Sequence, residues 1–223
     1  MTTYLSSKSI VFTSSRILGL TTLAAAGLLC SPVAQGTVIY DESVSGDLSN
    51  SGLSPTLVAM AAGSNQILGT TGRGSEGVDR DYFTFTIPAG LELTSITVLP
   101  GTTVAGAVSF IGIEGGTQVT LPTNPMDATG LLGWLHYSAA DINSDILGLM
   151  GAAADGSSGF VPPLTSGSYA VWVQEFSTGV SPYGFDFTLG ATPAKAPDSG
   201  PGLLLCLSAF GVLLASHGLR SRY

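Results

Sequence analysis

The chain has 223 residues, a formal net charge of −8 and 44% hydrophobic residues, a length that suits one domain with accessory segments. Its body, residues 37–194, carries fourteen Asp and Glu against only Arg73 and Arg80, a net charge near −12; such a surface repels phosphate backbones and anionic headgroups, which argues against nucleic acid as a partner. Cys30 and Cys206 both lie outside the body, so it has no internal disulfide and no cysteine-held metal; an apolar core must hold it, burying roughly 70% of the unfolded-chain surface at this size.

Residues 1–36 have the three parts of a secretory signal. Lys8 and Arg16 supply the positive region, residues 17–30 form an almost uninterrupted apolar run, and Ala34-Gln35-Gly36 offers the small residues a signal peptidase needs. Cleavage is expected before Thr37. The run is short for a retained span of about 20 residues, and Leu29 occupies the place before Cys30 where a lipoprotein needs a small residue.

Period-two alternation dominates the body. Short strands are expected at 38–40, 56–60 and 66–69. Phe83, Phe85 and Ile87 then share one face over 81–87, and Pro88-Ala89-Gly90 turns the chain. The next strand has Leu91 and Leu93 in one phase and Ile96 and Val98 in the other, which predicts a bulge near Thr94-Ser95. Further strands are expected over 104–113 and 131–137. The one at 168–176 is apolar on both faces, as a strand covered on both sides reads. Tyr183, Phe185, Phe187 and Leu189 alternate with polar or small residues in the cleanest half-buried strand. Only Ile142, Ile146, Leu149 and Met150 fall at helical spacing, which allows one short helix. Many short strands punctuated by Gly and Pro predict an antiparallel, jelly-roll-like β-sandwich over 37–190.

After a linker and short motif at 191–202, residues 203–215 are apolar, and the basic tail residues Arg220 and Arg222 close the chain. An apolar helix followed by bases is expected to keep its end on the cytoplasmic side, and at this length it suits a transient membrane intermediate. The order of motif, apolar helix over 203–223 and arginines resembles the PEP-CTERM class of bacterial sorting tails. Pro197-Asp198-Ser199-Gly200 is similar to the Val-Pro-Asp-Ser-Gly variant, with Ala196 in place of the valine. The resemblance implies an exosortase-type membrane protease as partner, removal of the tail, and delivery to the cell surface or an exopolysaccharide matrix. In the body, Asp79-Arg80-Asp81-Tyr82-Phe83-Thr84-Phe85 with Pro88-Ala89-Gly90, and the segment around Gly167-Ser168-Tyr169, resemble bacterial pre-peptidase C-terminal domains. That resemblance implies a non-catalytic β-sandwich attached to a secreted protein.

Chemistry in the body is sparse. His136 is its one histidine; it is expected on the face opposite Trp134, as a structural side chain, with no cysteine and no nucleophile-elbow serine to activate. Gly72-Arg73-Gly74-Ser75-Glu76-Gly77 matches G-x-G-x-x-G, but a strand follows it, and Glu76 and Asp79 would repel a phosphate, so it reads as a turn between strands. Asp79, Asp81 and Asp47, with Asp41 and Glu42 nearby, are the candidate ligands for calcium, which takes several carboxylate and carbonyl oxygens. The alternative is a set of solvated turn residues beside Arg80.

The expected function is a non-catalytic exported surface or matrix protein, associated with exopolysaccharide or biofilm and needing no cofactor beyond that calcium. The rival is a calcium-dependent carbohydrate-binding module, which would expose Trp134, Tyr137 or Trp172 on one face. A carboxylate-based hydrolase would instead need a deep acidic cleft around His136.

Overall fold

The computed structural model describes residues 36–75, 77–121, 128–152 and 155–194. The alternating segments become nine strands: β1 (Thr37–Asp41), β2 (Thr56–Leu57), β3 (Gly63–Gly74), β4 (Gly77–Ile87), β5 (Leu91–Val98), β6 (Ser109–Gly115), β7 (Gly133–Tyr137), β8 (Gly167–Glu175) and β9 (Gly179–Ala191). Two helical pieces interrupt them, α1 (Glu42–Ser45) and α2 (Leu147–Gly151), with a 3-10 turn at Ala139–Asp141. The fold is all-β and mostly antiparallel.

Hydrogen bonding follows the order β5-β9-β3-β4-β8-β6-β7, with β1 and β2 added in parallel to β3 and β4. The β3–β4 hairpin is the hinge of this path: Gly72, Arg73 and Gly74 pair with Asp79, Val78 and Gly77, after which β4 leaves β3 and pairs with β8. This is the turn expected at the glycine-rich stretch. The inward rows of the two halves share one core, in which Phe83 and Phe85 of β4 meet Phe187 of β9 at 5.7 and 5.6 Å between ring centroids, edge to face. Burying each such ring stabilises the fold by about 1.5–3 kcal/mol. A smaller cluster of Tyr82, Phe110, Trp172, Val119 and Leu131 covers the other face of β4, β8 and β6. Strand β8 is therefore buried on both sides, as its double apolar pattern predicts.

The phase flip in β5 is a bulge, with the register against β9 shifting between Leu93 and Ser95. Three expectations are corrected. The strand expected over 56–60 pairs only at Thr56 and Leu57. The one over 104–113 begins at Ser109, because the preceding loop bonds to β9: Thr103 N–H donates to Pro182 C=O at 2.8 Å and Gly184 N–H to Thr102 Oγ1 at 3.0 Å. The helix starts at Leu147 and not at Ile142, since Asp145 Oδ1 accepts N–H groups from both Ile96 and Leu147 and so ties the segment to β5. Among the described residues no helix is long and apolar enough to cross a membrane. The expected signal, sorting motif (Pro197, Asp198, Ser199, Gly200), apolar helix, Arg220 and Arg222 lie outside the described residues.

Candidate functional site

Strand β4 points residues 81, 83, 85 and 87 inward. Phe83, Phe85 and Ile87 fill the core, but the fourth member of the row is Asp81. Its side chain is 0% exposed and neither carboxylate oxygen has a hydrogen-bond partner. Buried polar groups are almost always satisfied, and a buried charge without a partner is costly.

Two further carboxylates approach it from the chain that follows β1. Asp41 caps α1, accepting the Ser43 N–H at 2.9 Å and the Ser43 hydroxyl at 2.6 Å. That capping is a local turn interaction of the kind short acidic side chains favour. The Tyr40 hydroxyl donates to Gly46 C=O at 2.9 Å, and Leu48, 1% exposed, plugs the segment into the core. Between these anchors, Glu42 and Asp47 are brought over Asp81, so that one oxygen from each of the three lies within 4.8 Å of the others. Glu42 is itself fixed: Oε1 accepts Leu48 N–H at 2.9 Å, and Oε2 accepts Thr70 N–H at 2.7 Å.

The electrostatics record uncompensated negative charge. Burial, then the charge of Glu42, pushes the Asp81 carboxyl up to about 9, although the Tyr183 hydroxyl opposes the rise. Burial, then Asp47 and Glu42, raises Asp79 to about 6. Glu42 is raised by burial against the pull of its two backbone N–H donors. Tyr183, 4% exposed and with an unpaired hydroxyl, is raised by burial and by Asp81. Its ring lies over Gly69, where a Cβ would stand 2.6 Å from the hydroxyl oxygen. Only a residue without a side chain leaves the ring that position. Cavities of about 300 and 340 Å³ open on either side, one past Glu42, Thr70 and Tyr183, the other past Asp47, Asp79 and Arg73.

Of the residues singled out from sequence, Asp81 and Asp47 come together. Asp79 does not join their oxygen cluster; it lies one inward step nearer the hairpin and contributes charge, and Glu42 takes its place. Asp41 is occupied as a cap. His136 corrects another expectation, because residues two apart in a strand share a face: its ring is 5.0 Å from Trp134, with Phe110 and Phe176 at 5.8 and 5.9 Å. It is exposed, its pKa is lowered by burial of the ring face, and among the described residues no carboxylate contributes to that shift. Of the aromatics a sugar-stacking face would need, Tyr137 and Trp172 are each 1% exposed.

Sequence reading missed a second buried carboxylate, Glu175. It accepts the Ser109 hydroxyl and the N–H groups of Phe176 and Ser177 at 2.8 and 2.9 Å. Ser109 is 66 residues away in the chain, and nothing local announces the pair.

No family model matches the chain, and no curated protein does. Among solved structures, the periplasmic lysozyme inhibitor PliG of Salmonella Typhimurium, an inhibitor of g-type lysozyme, is similar at a TM-score of 0.30 and 12% identity, over 61% of this chain and 100% of that one. That likeness is too slight to carry either fold or function across.

Proposed function

We propose that this chain is a non-catalytic exported surface or extracellular-matrix protein. In this reading a β-sandwich is carried out by the N-terminal signal and sorted through the C-terminal tail by an exosortase-type protease, for association with exopolysaccharide or biofilm. The sandwich assignment is supported by the shared core, in which Phe83 and Phe85 of one strand group pack on Phe187 of the other, as face-to-face sheets do.

The observation that carries the reading is the order of elements at the two chain ends, and the geometry of the body suits it. Asn65 of β3 pairs with Thr37 on one side and Phe187 on the other, so the body begins and ends at one pole. The acidic centre lies near Thr70, five residues further along β3, which is roughly 17 Å at about 3.3 Å per residue. A body tethered through its tail would hold that centre away from the tether. The calcium-dependent carbohydrate-binding alternative keeps its acidic half in this arrangement but loses Tyr137 and Trp172, and keeps Trp134, half-buried, as its aromatic contact.

Intact-mass analysis and fractionation in the native host test the proposal. The expected mature species lacks residues 1–36 and the tail and is found at the surface or in the matrix. Deletion of 197–223 should leave a folded protein stranded in the periplasm. A stable inner-membrane species that retains 203–223 would make the tail a plain anchor and overturn the sorting route.

A further inference from the structure

We propose that Glu42, Asp47 and Asp81 form a binding site for a hard divalent cation, Ca²⁺, that fastens the segment after β1 to the inward row of β4. Two observations beyond the clustering of acids point to a ligand. Asp81 is 0% exposed with both oxygens unpartnered, in mid-strand opposite Val173 of β8, and the next N–H, that of Tyr82, is given to Ser49 C=O at 2.8 Å. The hydroxyl of Tyr183, on the facing strand group and 4% exposed, is also unpartnered and couples to the same carboxylate. Two adjoining buried polar groups, a carboxyl and a phenol, are thus left without a hydrogen bond of good geometry at one place.

The dimensions and donors fit this ion. Calcium binds oxygens at 2.3–2.6 Å, so two ligands on opposite sides of it stand up to about 5 Å apart, and the three carboxylates lie within 4.8 Å of each other. All three donors are oxygens, with no histidine or cysteine among them, which suits calcium or magnesium rather than zinc or copper. Glu42 Oε2 accepts from both the N–H and the hydroxyl of Thr70, but Oε1 accepts from Leu48 N–H alone and keeps a second lone pair for a cation. One ligand is exposed, one half-buried and one buried. They come from a loop, a single helical turn and a strand, an irregular set that calcium accepts and magnesium, which demands a near-ideal octahedron, does not.

The consequence is mechanical and compartmental. Glu42 and Asp47 bracket the loop that leads from β1 into the body, and Asp81 belongs to β4, so the ion would join segments about 40 residues apart. Extracellular calcium modules work at 10⁻⁴–10⁻³ M. If the export reading also holds, the lock closes only after the chain has left the cell; the site itself does not depend on that reading.

The test uses the exported, processed protein, stripped with EGTA and titrated with CaCl₂ by calorimetry and thermal unfolding. One calcium per chain is expected. The folding constant should rise about a hundredfold at one hundred times Kd, with a smaller shift from MgCl₂. Asp47→Asn, at an exposed position that leaves folding intact, should weaken calcium at least tenfold. Asp81→Asn should abolish the response while melting no lower than metal-free wild type, because the carboxyl it replaces has no hydrogen-bond partner to lose. A wild type that gives no heat and no shift up to about 10 mM calcium would show a buried acid satisfied by its own proton and would overturn the proposal. A response that survives both substitutions unchanged would place the ion elsewhere and overturn it equally.

Discussion

Asp81 and Glu175 are both hidden carboxylates on inward rows of paired strands, 0% and 1% exposed, yet they behave oppositely. Burial raises Asp81 to about 9. Burial pushes Glu175 up as well, but hydrogen bonds from Ser109, Ser177 and Phe176 overcome it and hold the carboxyl below its ordinary 4.5. The difference lies in the supply of donors. Glu175 ends β8, where the backbone leaves the ladder and the N–H groups of Phe176 and Ser177 are free to turn back on it. Asp81 sits inside β4, paired opposite Val173, where the next N–H, that of Tyr82, goes to Ser49 C=O and none turns to the carboxylate. A strand end can satisfy an acid from within; a strand middle has to satisfy it from outside.

The largest expected effect breaks that symmetry directly. Glu175→Ala strands the Ser109 hydroxyl and two N–H groups, and should cost about 3 kcal/mol in urea unfolding. Asp81→Asn in metal-free solution should cost nothing or stabilise. Equal losses from the two variants would mean that burial alone, and not partner supply, sets their roles.

The pH dependence separates them next. Without metal, folded Asp81 titrates near 9 against an ordinary 3.8, facing Glu42, Asp47, Asp79 and Tyr183. Its proton is kept on folding and shed on unfolding between those values, so its contribution is full below about 4 and is lost as pH rises toward about 9, at up to about 1.4 kcal/mol per unit. Glu175 has the opposite sign: its contribution is present above 4.5 and is lost as pH falls through its depressed value. Unfolding midpoints across pH 3–9 should therefore form a dome in metal-free buffer. Saturating calcium should flatten its alkaline side, and Asp81→Asn should do the same without the ion.

Much of the fold was legible because strands announce themselves locally. The phase change between Leu93 and Ile96 is the bulge, and the double apolar face of 168–176 is the central β8. The candidate site was half legible. Asp81 stands out as an acid in the inward phase of Phe83 and Phe85, but Glu42 enters only because a single helical turn, capped by Asp41, points it at Thr70. Nothing in the periodicity encodes that. Glu175 was invisible for the same reason, since its partner arrives from β6. The loop before β6 misled because Thr102, Thr103 and Val104 are β-branched, yet the first two bond across to β9 and the chain then bends over 105–107.

The smallest expected effect sharpens the boundary of the acidic centre. Asp79 contributes charge but no oxygen to it, one inward step along the strand and about 7 Å away. Asp79→Asn should then change calcium affinity by a factor of about 7, the effect of one unit charge on a divalent ion at that distance in water. A loss as complete as that of Asp81→Asn would make Asp79 a ligand after all.

The placement of β1 and β9 on either side of β3 also bears on how the body would carry a load. A pull on the chain beyond Ala191, resisted at the hairpin pole, runs along β9 and antiparallel to β3, whose pairing extends from Gly63–Leu189 to Arg73–Gly179. The tension then lies across the whole row of hydrogen bonds at once, in shear, rather than opening them one after another. A body held by its tail against flow would yield only when that row fails together. The same strands pulled at the Arg73 and Gly179 ends would unzip.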